Sequence, residues 1–332
     1  MNGGMELYLH MPFCVRKCAY CDFLSFPTDQ ETQNLYTRRL REDIDAMGKK
    51  YGDIPVDTIF IGGGTPSVPD SALIVGIMEH VRKAFHVAEG AEISMEANPG
   101  TVTREKLTDY RRAGINRLSF GLQSANDREL KLLGRIHTWA EFLESFHLAR
   151  ECGFTNINID LMSALPGQTR ESWKDTLKRV TDLNPEHISA YSLIIEDGTP
   201  FGEKYGSEEG RKLLPDEDSE REMYHETKRF LRDCGYERYE ISNYAKPGRA
   251  CRHNIGYWTG LPYLGLGLGA SSYMDGCRFA VNSDMKQYLE EKPGMFTDVE
   301  KLTKKDMEEE FFYVGLRMTA GVSLPEFERR FG

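Results

Sequence analysis

The feature that most constrains the fold of this chain is a regular alternation of strand-like and helix-like segments over residues 7–193. Strand-like runs are predicted at residues 7–10, 58–61, 92–96, 117–121, 156–161 and 187–193. Helical periodicity lies between them, at residues 31–50, 70–85, 103–113, 125–133, 140–152 and 170–183. Strands separated by helices pair in parallel through right-handed crossovers, so this part of the chain is predicted to form an α/β sheet or barrel.

After about residue 195 the pattern changes. Helices are predicted at residues 216–234, 303–318 and 324–331, with one strand-like run at 238–241 followed by a long loop. A chain of 332 residues has room for one large α/β unit and a smaller extension. We therefore expect a sheet-forming part followed by a mainly helical C-terminal part.

Composition excludes several classes of function. The formal net charge of −10 argues against nucleic acid as a partner, because a nucleic-acid groove favours a basic surface. No apolar run of about 18 residues is present, so no membrane span is predicted, and the first residues lack the pattern of a secretion signal. Seven cysteines, three of them clustered, fit a reducing compartment better than a disulfide framework. A cytoplasmic protein is expected.

The clustered cysteines are Cys14, Cys18 and Cys21, in a loop directly after the first predicted strand. A closed structural metal site uses four protein ligands, whereas three thiolates leave one position free. A cubane iron–sulfur cluster held by three cysteines has one iron that another molecule can ligate. The alternative is a zinc site of the Cys₃His type, with His10 as its fourth ligand.

Other polar and glycine-rich segments also fall where predicted strands end. The run Gly-Gly-Gly-Thr-Pro at residues 62–66 follows the second strand, and its missing side chains let a ligand approach the backbone. Carboxylates accept hydrogen bonds from ribose hydroxyls, and an arginine binds a carboxylate with two hydrogen bonds. The residues of this kind at or after later strands are Glu96, Gln123, Arg135 and Asp160. Parallel sheets bind ligands at this edge, so these segments are predicted to share one site.

Two motifs lie in the C-terminal part. The glycines of residues 265–270 imitate a dinucleotide fingerprint, but poor helix sequence follows them, and a Rossmann site is rejected. His253 is followed by Tyr257 and Trp258 and has Arg252 beside it. A lone histidine is usually structural, yet an imidazole ligand, aromatic walls and arginines would suit heme.

Several multi-residue segments together resemble one family. The cysteine spacing resembles the radical S-adenosylmethionine (SAM) superfamily. Nearly the whole chain resembles its HemW branch of heme chaperones, which is related to oxygen-independent coproporphyrinogen III oxidase. The segments that carry this resemblance are residues 8–14, 116–124, 160–168, 239–245, 253–258 and 263–267.

The resemblance implies a partial (β/α)6 barrel over residues 1–200, a connecting region with the heme motif over 201–282, and the start of a helical domain over 283–332. It implies a [4Fe–4S] cluster on the three cysteines and SAM on the fourth iron. It also implies heme bound through His253 in the motif His-Asn-x-x-Tyr-Trp. The SAM site would comprise Tyr8, Tyr20, Gly63, Gly64, Thr65, Glu96, Gln123, Arg135 and Asp160, with Tyr191 and Ser192 as weaker candidates.

The partners implied are heme and apo-hemoprotein acceptors, with membrane contact only through those acceptors. A homodimer and the cleavage of SAM are left open. Departures from the oxidase favour the chaperone: Phe23 stands where the oxidase has a further cysteine, and no N-terminal arm like that of the oxidase is expected, because the first predicted strand starts within the first ten residues. Ser163-Ala164 stands where the family usually has an aromatic residue and glycine, and the family's C-terminal domain is expected to continue past Gly332. The competing function is porphyrinogen decarboxylation by radical chemistry.

Overall fold

The computed structural model describes residues 4–332. Met1, Asn2 and Gly3, at the start of the chain, where no secretion signal is predicted, lie outside the described residues. In residues 4–332, every helix is too short or too polar to cross a membrane.

Six parallel strands form the first part of the sheet, and their order in space is their order in the chain. They are β1 (Met5–Met11), β2 (Val56–Gly63), β3 (Val87–Ala97), β4 (Arg117–Gln123), β5 (Ile157–Ser163) and β6 (His187–Ser192). The predicted parallel sheet is confirmed, and each predicted run lies on one of these strands. Most of these strands extend beyond the predicted runs, while β5 begins one residue later and β6 ends one residue earlier than predicted.

Six helices connect these strands, as predicted. They are α1 (Gln30–Tyr51), α2 (Ser71–Ala84), α3 (Arg104–Arg112), α4 (Asp127–Leu133), α5 (Trp139–Glu151) and α6 (Arg170–Asp182). Side chains set where several of them begin: Asp29 accepts from the Thr32 amide at α1, and Thr138 and Glu141 form a capping box at α5. Such caps satisfy amides that have no partner within the helix.

Alternation along each strand separates a helix-covered face from an interior face. On β1, Leu7 and Leu9 are fully buried in the same hydrophobic core as Leu40 of α1. Tyr8, between them, turns the other way and stacks on Phe60 of β2, with ring centroids 6.4 Å apart. The apolar core therefore lies between sheet and helices, and the other face encloses an interior with many polar side chains.

The C-terminal part adds helices and short strands. In order these are α7 (Pro200–Tyr205), α8 (Glu208–Arg211), α9 (Glu217–Asp233), β7 (Glu237–Arg238), β8 (Asn243–Ala245), α10 (Arg252–Thr259), β9 (Tyr263–Leu266), β10 (Ser271–Met274), β11 (Cys277–Ala280), α11 (Met285–Glu290), β12 (Thr297–Lys301), α12 (Lys304–Gly315) and α13 (Leu324–Phe331). The three predicted helices correspond to α9, α12 and α13.

These short strands extend the sheet to twelve strands, in the order β12-β11-β10-β9-β1-β2-β3-β4-β5-β6-β8-β7. β9 runs parallel to β1, and β8 runs antiparallel to β6. Because β1 and β6 pair with these strands and not with each other, the barrel is partial and open, as expected. Strands β8 to β12 were not predicted, since they are short and interrupted by glycines and turns. The glycines of residues 265–270 belong to β9 and the turn into β10 and open no helix.

Candidate functional site

The three cysteines lie at the carboxyl end of β1, in the loop that leads to α1. Backbone hydrogen bonds hold this loop: the Cys14 amide donates to the Phe26 carbonyl at 3.2 Å, and the Cys21 amide donates to the Cys18 carbonyl at 3.3 Å. All three thiols are free and partly exposed, and all three line one cavity of about 410 Å³, here called cavity 1. Burial raises the pKa of the Cys21 thiol, and the nearby Cys18 and Cys14 thiols add to this shift.

The glycine-rich segment after β2 packs directly against the cysteine loop. The Gly64 amide donates to the Met11 carbonyl at 2.8 Å, and the Thr65 amide donates to the Phe13 carbonyl at 2.6 Å. A Cβ on Gly64 would lie 2.7 Å from the Phe13 carbonyl oxygen, so this approach requires glycine. The Thr65 hydroxyl lies 3.5 Å from the Cys14 sulfur. The two segments therefore form one wall of cavity 1.

Two carboxyl groups face this cavity from β3 and β5. Glu96 accepts from the Gly63 amide at 3.0 Å, while Asp160 accepts from Ser119 at 3.0 Å and from Asn158 at 2.8 Å. Burial raises the pKa of Glu96 to about 8, and the nearby Asp160 carboxyl adds to the rise. Burial also raises the pKa of Asp160, but its hydrogen-bond donors oppose the shift. The raised pKa values favour the protonated carboxyls, whose oxygens can exchange hydrogen bonds with a polar ligand at the strand ends.

Gln123 ends β4 in an unusual backbone conformation. Its φ is 74°, a left-handed value that non-glycine residues rarely adopt. The pairing register with β5 shifts between Gly121 and Gln123, and the Tyr191 hydroxyl donates to Gln123 Oε1 at 2.9 Å. Strained residues of this kind often mark functional sites because surrounding contacts must hold them in place.

Arg135 reaches cavity 1 from the end of α4. Gly134 ends that helix in the left-handed conformation, with φ of 76°, and Arg135 follows directly. The guanidinium donates to Asn98 Oδ1 at 2.5 Å, to the Gly121 carbonyl, and to the Cys18 sulfur at 3.6 Å. Its Nε–H has no protein partner, so the group has a donor to spare.

The structure brings most of the predicted site residues together. Cavity 1 is lined by Cys14, Cys18, Cys21, Tyr20, Gly63, Gly64, Thr65, Glu96, Gln123, Arg135, Asp160, Tyr191 and Ser192. Tyr8 is not among these lining residues, and its hydroxyl lies 3.0 Å from His10 Nδ1 in the barrel interior, so its part in the SAM site stays a prediction.

Sequence reasoning missed other lining residues. They include Ser119, Gly121 and Met162 on the strands, Asn98 directly after β3, and Arg16, Lys17, Phe23, Ile194 and Glu196 in the loops. Asn98 belongs to the segment Glu-Ala-Asn-Pro that ends β3, so the strand-end rule that selected Glu96 also applies to it.

His10, the fourth ligand of the alternative zinc site, is committed elsewhere. Its Nε2 lies 2.9 Å from the Leu24 carbonyl, and its Nδ1 lies 3.0 Å from the Tyr8 hydroxyl. Burial lowers the pKa of this imidazole, which favours the neutral ring. Both ring nitrogens therefore have protein partners, so the arrangement favours the three-thiolate interpretation.

His253 lies toward the amino ends of the parallel strands, on the opposite side of the barrel interior from the carboxyl ends that carry cavity 1. It is 1% exposed, its Nδ1 lies 2.7 Å from the Thr58 hydroxyl, and its Nε2 lies 3.0 Å from the Tyr257 hydroxyl. The ring stacks on Phe60 at 5.2 Å, and burial lowers its pKa to about 3. In this conformation both nitrogens have partners, so the predicted role as heme ligand requires the ring to leave at least one of them.

Two carboxyl groups of the sheet hold α10 in this place. Glu92 of β3 accepts from the backbone amides of Arg252 and His253 at 3.0 and 3.3 Å, at a helix start that has no side-chain cap of its own. Glu6 of β1 packs against Gly256, where a Cβ would lie 1.9 Å from Glu6 Oε1 and would displace that carboxyl group. Helix α10 therefore closes the amino end of the barrel interior.

A second cavity, of about 190 Å³ and here called cavity 2, lies between α10, α12 and α13. Most of its walls are apolar or aromatic, and the Arg278–Glu310 ion pair lies at its side. The side chains of Tyr257 and Trp258 belong to it, whereas His253 does not. The aromatic residues that line it are Tyr257, Trp258, Tyr263, Tyr273, Phe311 and Phe331.

Comparison with known proteins agrees with this geometry. The model of the radical SAM superfamily matches residues 8–180. The chain is 37% identical to a protein named heme chaperone HemW from Bacillus subtilis, over 98% of this chain and 86% of that protein. The protein of the same name from Escherichia coli is 42% identical, over 80% and 69%.

Among solved structures, coproporphyrinogen III oxidase (HemN) from Escherichia coli superposes with a TM-score of 0.85, at 27% identity over 99% of this chain and 79% of that one. That oxidase is described as a radical SAM enzyme. Membership of this superfamily implies a [4Fe–4S] cluster and SAM. The chain belongs to the radical SAM superfamily and, within it, to the HemW family.

Proposed function

We propose that this protein is a heme chaperone that binds heme, passes it to apo-hemoproteins, and carries a [4Fe–4S] cluster and SAM in cavity 1. The observation that carries the proposal is the close relationship over nearly the whole chain to proteins named heme chaperones. The site supports the cofactor part of the proposal independently, since three free cysteines line a cavity with polar groups suited to an amino acid and a nucleoside.

Cys14, Cys18 and Cys21 would hold the cluster. Three sulfurs on one loop match a cluster with one iron free for a further ligand, and the hydroxyl of Thr65 and the guanidinium of Arg135 are placed to donate to two of them. When bound by these cysteines and reduced, such a cluster would be able to supply an electron to SAM. The chain's own part is to shield the sulfurs and to orient the ligand.

SAM would lie across the strand ends. The backbone at Gly63 and Gly64 would meet its amino-acid end, and Arg135, with a spare N–H, would bind its carboxylate. Glu96 would accept from the ribose hydroxyls. Because an ionised carboxylate is the better acceptor, and burial raises the pKa of Glu96 to about 8, SAM affinity should rise as pH increases toward 8.

The SAM assignment is tested with Arg135→Ala. Loss of a charge-assisted, two-bond contact of roughly 1.5–3 kcal/mol should weaken SAM binding about 10- to 150-fold in calorimetry on cluster-loaded protein. Arg128→Ala, at an exposed arginine on α4, the helix that Arg135 follows, is the matched control and should bind SAM as the unmodified chain does. Unchanged affinity in Arg135→Ala would remove this residue from the site.

Heme would bind at the motif on α10. Tyr257 and Trp258 offer an aromatic bed at cavity 2, and a neutral imidazole is a competent axial ligand. His253 Nε2 is the nitrogen on the Tyr257 side, so ligation would require Tyr257 to release it. Cavity 2 is smaller than the roughly 300–1,000 Å³ of ordinary ligand pockets, so a whole tetrapyrrole would also require α10, α12 or α13 to move.

This arrangement suggests a test that keeps the imidazole in place. Tyr257→Phe removes the hydrogen bond to Nε2 and Thr58→Val removes the one to Nδ1. If His253 is the ligand, Tyr257→Phe should strengthen heme binding by about 5- to 10-fold, the effect of one released hydrogen bond, and His253→Ala should weaken it and shift the Soret band. His225→Ala, on the exposed side of α9, is the control and should bind heme as the unmodified chain does. A normal Soret titration in His253→Ala would exclude this ligand.

Coproporphyrinogen III oxidation is the second candidate, favoured by the structural match to the Escherichia coli oxidase. Against it, Phe23 occupies the position of the oxidase's further cysteine, and it is 62% exposed at the mouth of cavity 1. Anaerobic turnover of coproporphyrinogen III with consumption of SAM would favour the oxidase, whereas heme binding without turnover would favour the chaperone.

A further inference from the structure

Hydrogen bonds hold both the backbone and the side chain of Asn98, which lines cavity 1. Its backbone amide donates to the Ser67 hydroxyl at 3.2 Å, and its carbonyl accepts from the Thr101 hydroxyl at 2.8 Å. Its side chain bridges two of the site residues: Oδ1 accepts from Arg135 at 2.5 Å, and Nδ2 donates to Thr65 Oγ1 at 2.8 Å. Every polar group of Asn98 therefore has a partner.

These partners fix the direction of a chain of hydrogen bonds. A guanidinium can only donate, so the atom of Asn98 that faces Arg135 must be the amide oxygen. The amide nitrogen then faces Thr65 and donates to its hydroxyl, which must direct its own proton elsewhere. The Cys14 sulfur lies 3.5 Å from that hydroxyl, in position to accept the proton.

The side-chain amide of Asn98 also holds Arg135, the residue that donates to a second cysteine sulfur. Arg135, fixed by Asn98 and by the Gly121 carbonyl, donates to the Cys18 sulfur at 3.6 Å. Gly121 leaves room for this arrangement, because a Cβ there would lie 3.0 Å from Asn98 Oδ1 and 3.2 Å from the guanidinium. One amide thus links donors aimed at two of the three cysteines.

We propose that Asn98 is a positioning residue that aims the Thr65 hydroxyl at the Cys14 sulfur and the Arg135 guanidinium at the Cys18 sulfur. The inference rests on the proposed function, since it concerns the cluster those cysteines would hold. Hydrogen bonds to cluster sulfurs favour the reduced state, because they stabilise its additional negative charge. Asn98 therefore raises the reduction potential through Thr65 and Arg135.

Asn98→Asp tests this role with almost no change of shape. A carboxylate can still accept from Arg135, but it cannot donate, so the Thr65 hydroxyl turns to it and away from Cys14. The midpoint potential of the cluster, measured by a dye-mediated titration followed by electron paramagnetic resonance without SAM, should become more negative. A tenfold change in the reduction equilibrium, about 59 mV for a one-electron couple, is the expected scale.

Thr65→Val and the double variant separate loss of the donor from the added charge. Thr65→Val removes the hydroxyl and should shift the potential in the same direction, while Thr65→Ser keeps the hydroxyl and should not. If Asn98 acts through Thr65, Thr65→Val should shift the potential by much less in the Asn98→Asp variant than in the unmodified chain. Iron content and thermal unfolding are measured on each variant.

Full additivity of the two shifts, or an unchanged potential in both single variants, would overturn the proposal. If Asn98→Asp does not retain a cluster, Gly121→Ala serves instead, since its Cβ would press on Asn98 Oδ1 and on the Arg135 guanidinium. It should give a negative shift that is smaller in the Thr65→Val background, where only the Arg135 contact with Cys18 remains to be disturbed. An unmodified chain that assembles no cluster would refute the proposed function, and this role with it. Normal cluster content with shifts that add would refute this role alone.

Discussion

Glu92 and Glu96 lie on the same strand, β3, four residues apart and on the same face, yet their surroundings differ. Glu92 accepts from the backbone amides at the start of α10 and is almost fully buried. Glu96 accepts from one backbone amide, that of Gly63, and otherwise faces cavity 1. The same residue type is therefore a structural cap at one end of the interior and a candidate ligand-binding group at the other.

The two ends of the barrel interior differ in what completes them. At the amino end, α10 supplies partners from the chain itself, so most polar groups are satisfied inside the protein. At the carboxyl end, loops leave a cavity where the Arg135 Nε–H has no partner and carboxyl groups sit partly desolvated. Function is expected where polar groups are left to a ligand, and stability where the chain supplies them.

The largest expected effect is at the carboxyl end. Replacing Cys14, Cys18 and Cys21 together with alanine should reduce iron from about four per chain to background after anaerobic reconstitution, with loss of the brown colour. Iron analysis and visible absorption check this. The cluster-free unfolding free energy should change little, because these side chains are partly exposed. Iron content equal to that of the unmodified chain would refute the ligand assignment.

At the amino end, Glu92→Ala should lower the unfolding free energy by roughly 2–3 kcal/mol, because two buried amides of α10 lose a charged acceptor. Denaturant unfolding measures the change. Glu89→Ala, an exposed residue of the same strand, is the matched control and should change stability by less than about 0.5 kcal/mol. A large loss of cluster from Glu92→Ala would show that the two ends are more strongly coupled than proposed here.

Stability should also depend on pH through Glu6, which lies beneath α10. Burial raises the pKa of Glu6 from 4.5 to about 9. Between these values the folded chain holds a proton that the unfolded chain releases, so the free energy of unfolding falls as pH rises through this window. Glu6→Gln removes this titrating group. The fall in the free energy of unfolding between pH 5 and pH 9 should then be smaller by at least about 1.4 kcal/mol, the equivalent of one pKa unit.

Glu89→Gln is the control for this measurement, since its side chain is exposed. Part of the alkaline decline should remain in Glu6→Gln, because burial raises the pKa of Glu96 as well. Below pH 6.5 both Glu6→Gln and the unmodified chain should become less stable as the pH falls. Burial lowers the pKa of His253 to about 3, so in this range the unfolded chain binds a proton that the folded chain does not. An identical pH profile in Glu6→Gln and the unmodified chain would contradict the assignment.

The smallest effect is expected at Ala164, after β5 at the carboxyl end. This residue has φ of 57°, which explains why the resembling family usually has glycine there. Ala164→Gly should raise the free energy of unfolding by about 0.5–1 kcal/mol through relief of strain. Ala46→Gly, within helix α1, should instead lower it by about 1 kcal/mol. Destabilisation by both changes would show that the backbone at Ala164 is not strained.

The sequence alone determined the six parallel strands and most of cavity 1. Strand periodicity and strand-end motifs are local signals, and parallel pairing brings every strand end to one edge, so Cys14, Gly63, Glu96 and Asp160 could be placed together in advance. The loops after those strands indicate the site because a run of glycines lets a ligand approach the backbone and clustered cysteines can bind a metal cluster.

Only the tertiary structure decided what His253, Tyr8 and Asn98 contact. His253 turns into the barrel interior, between Thr58 and Tyr257, because Glu92 holds the start of α10 at the opposite end from the cysteines. Strands β9 to β12 extend the sheet through pairing with β1, a contact between residues more than 250 positions apart. Such contacts depend on surfaces that exist only after the chain has folded, so no local pattern of residues records them.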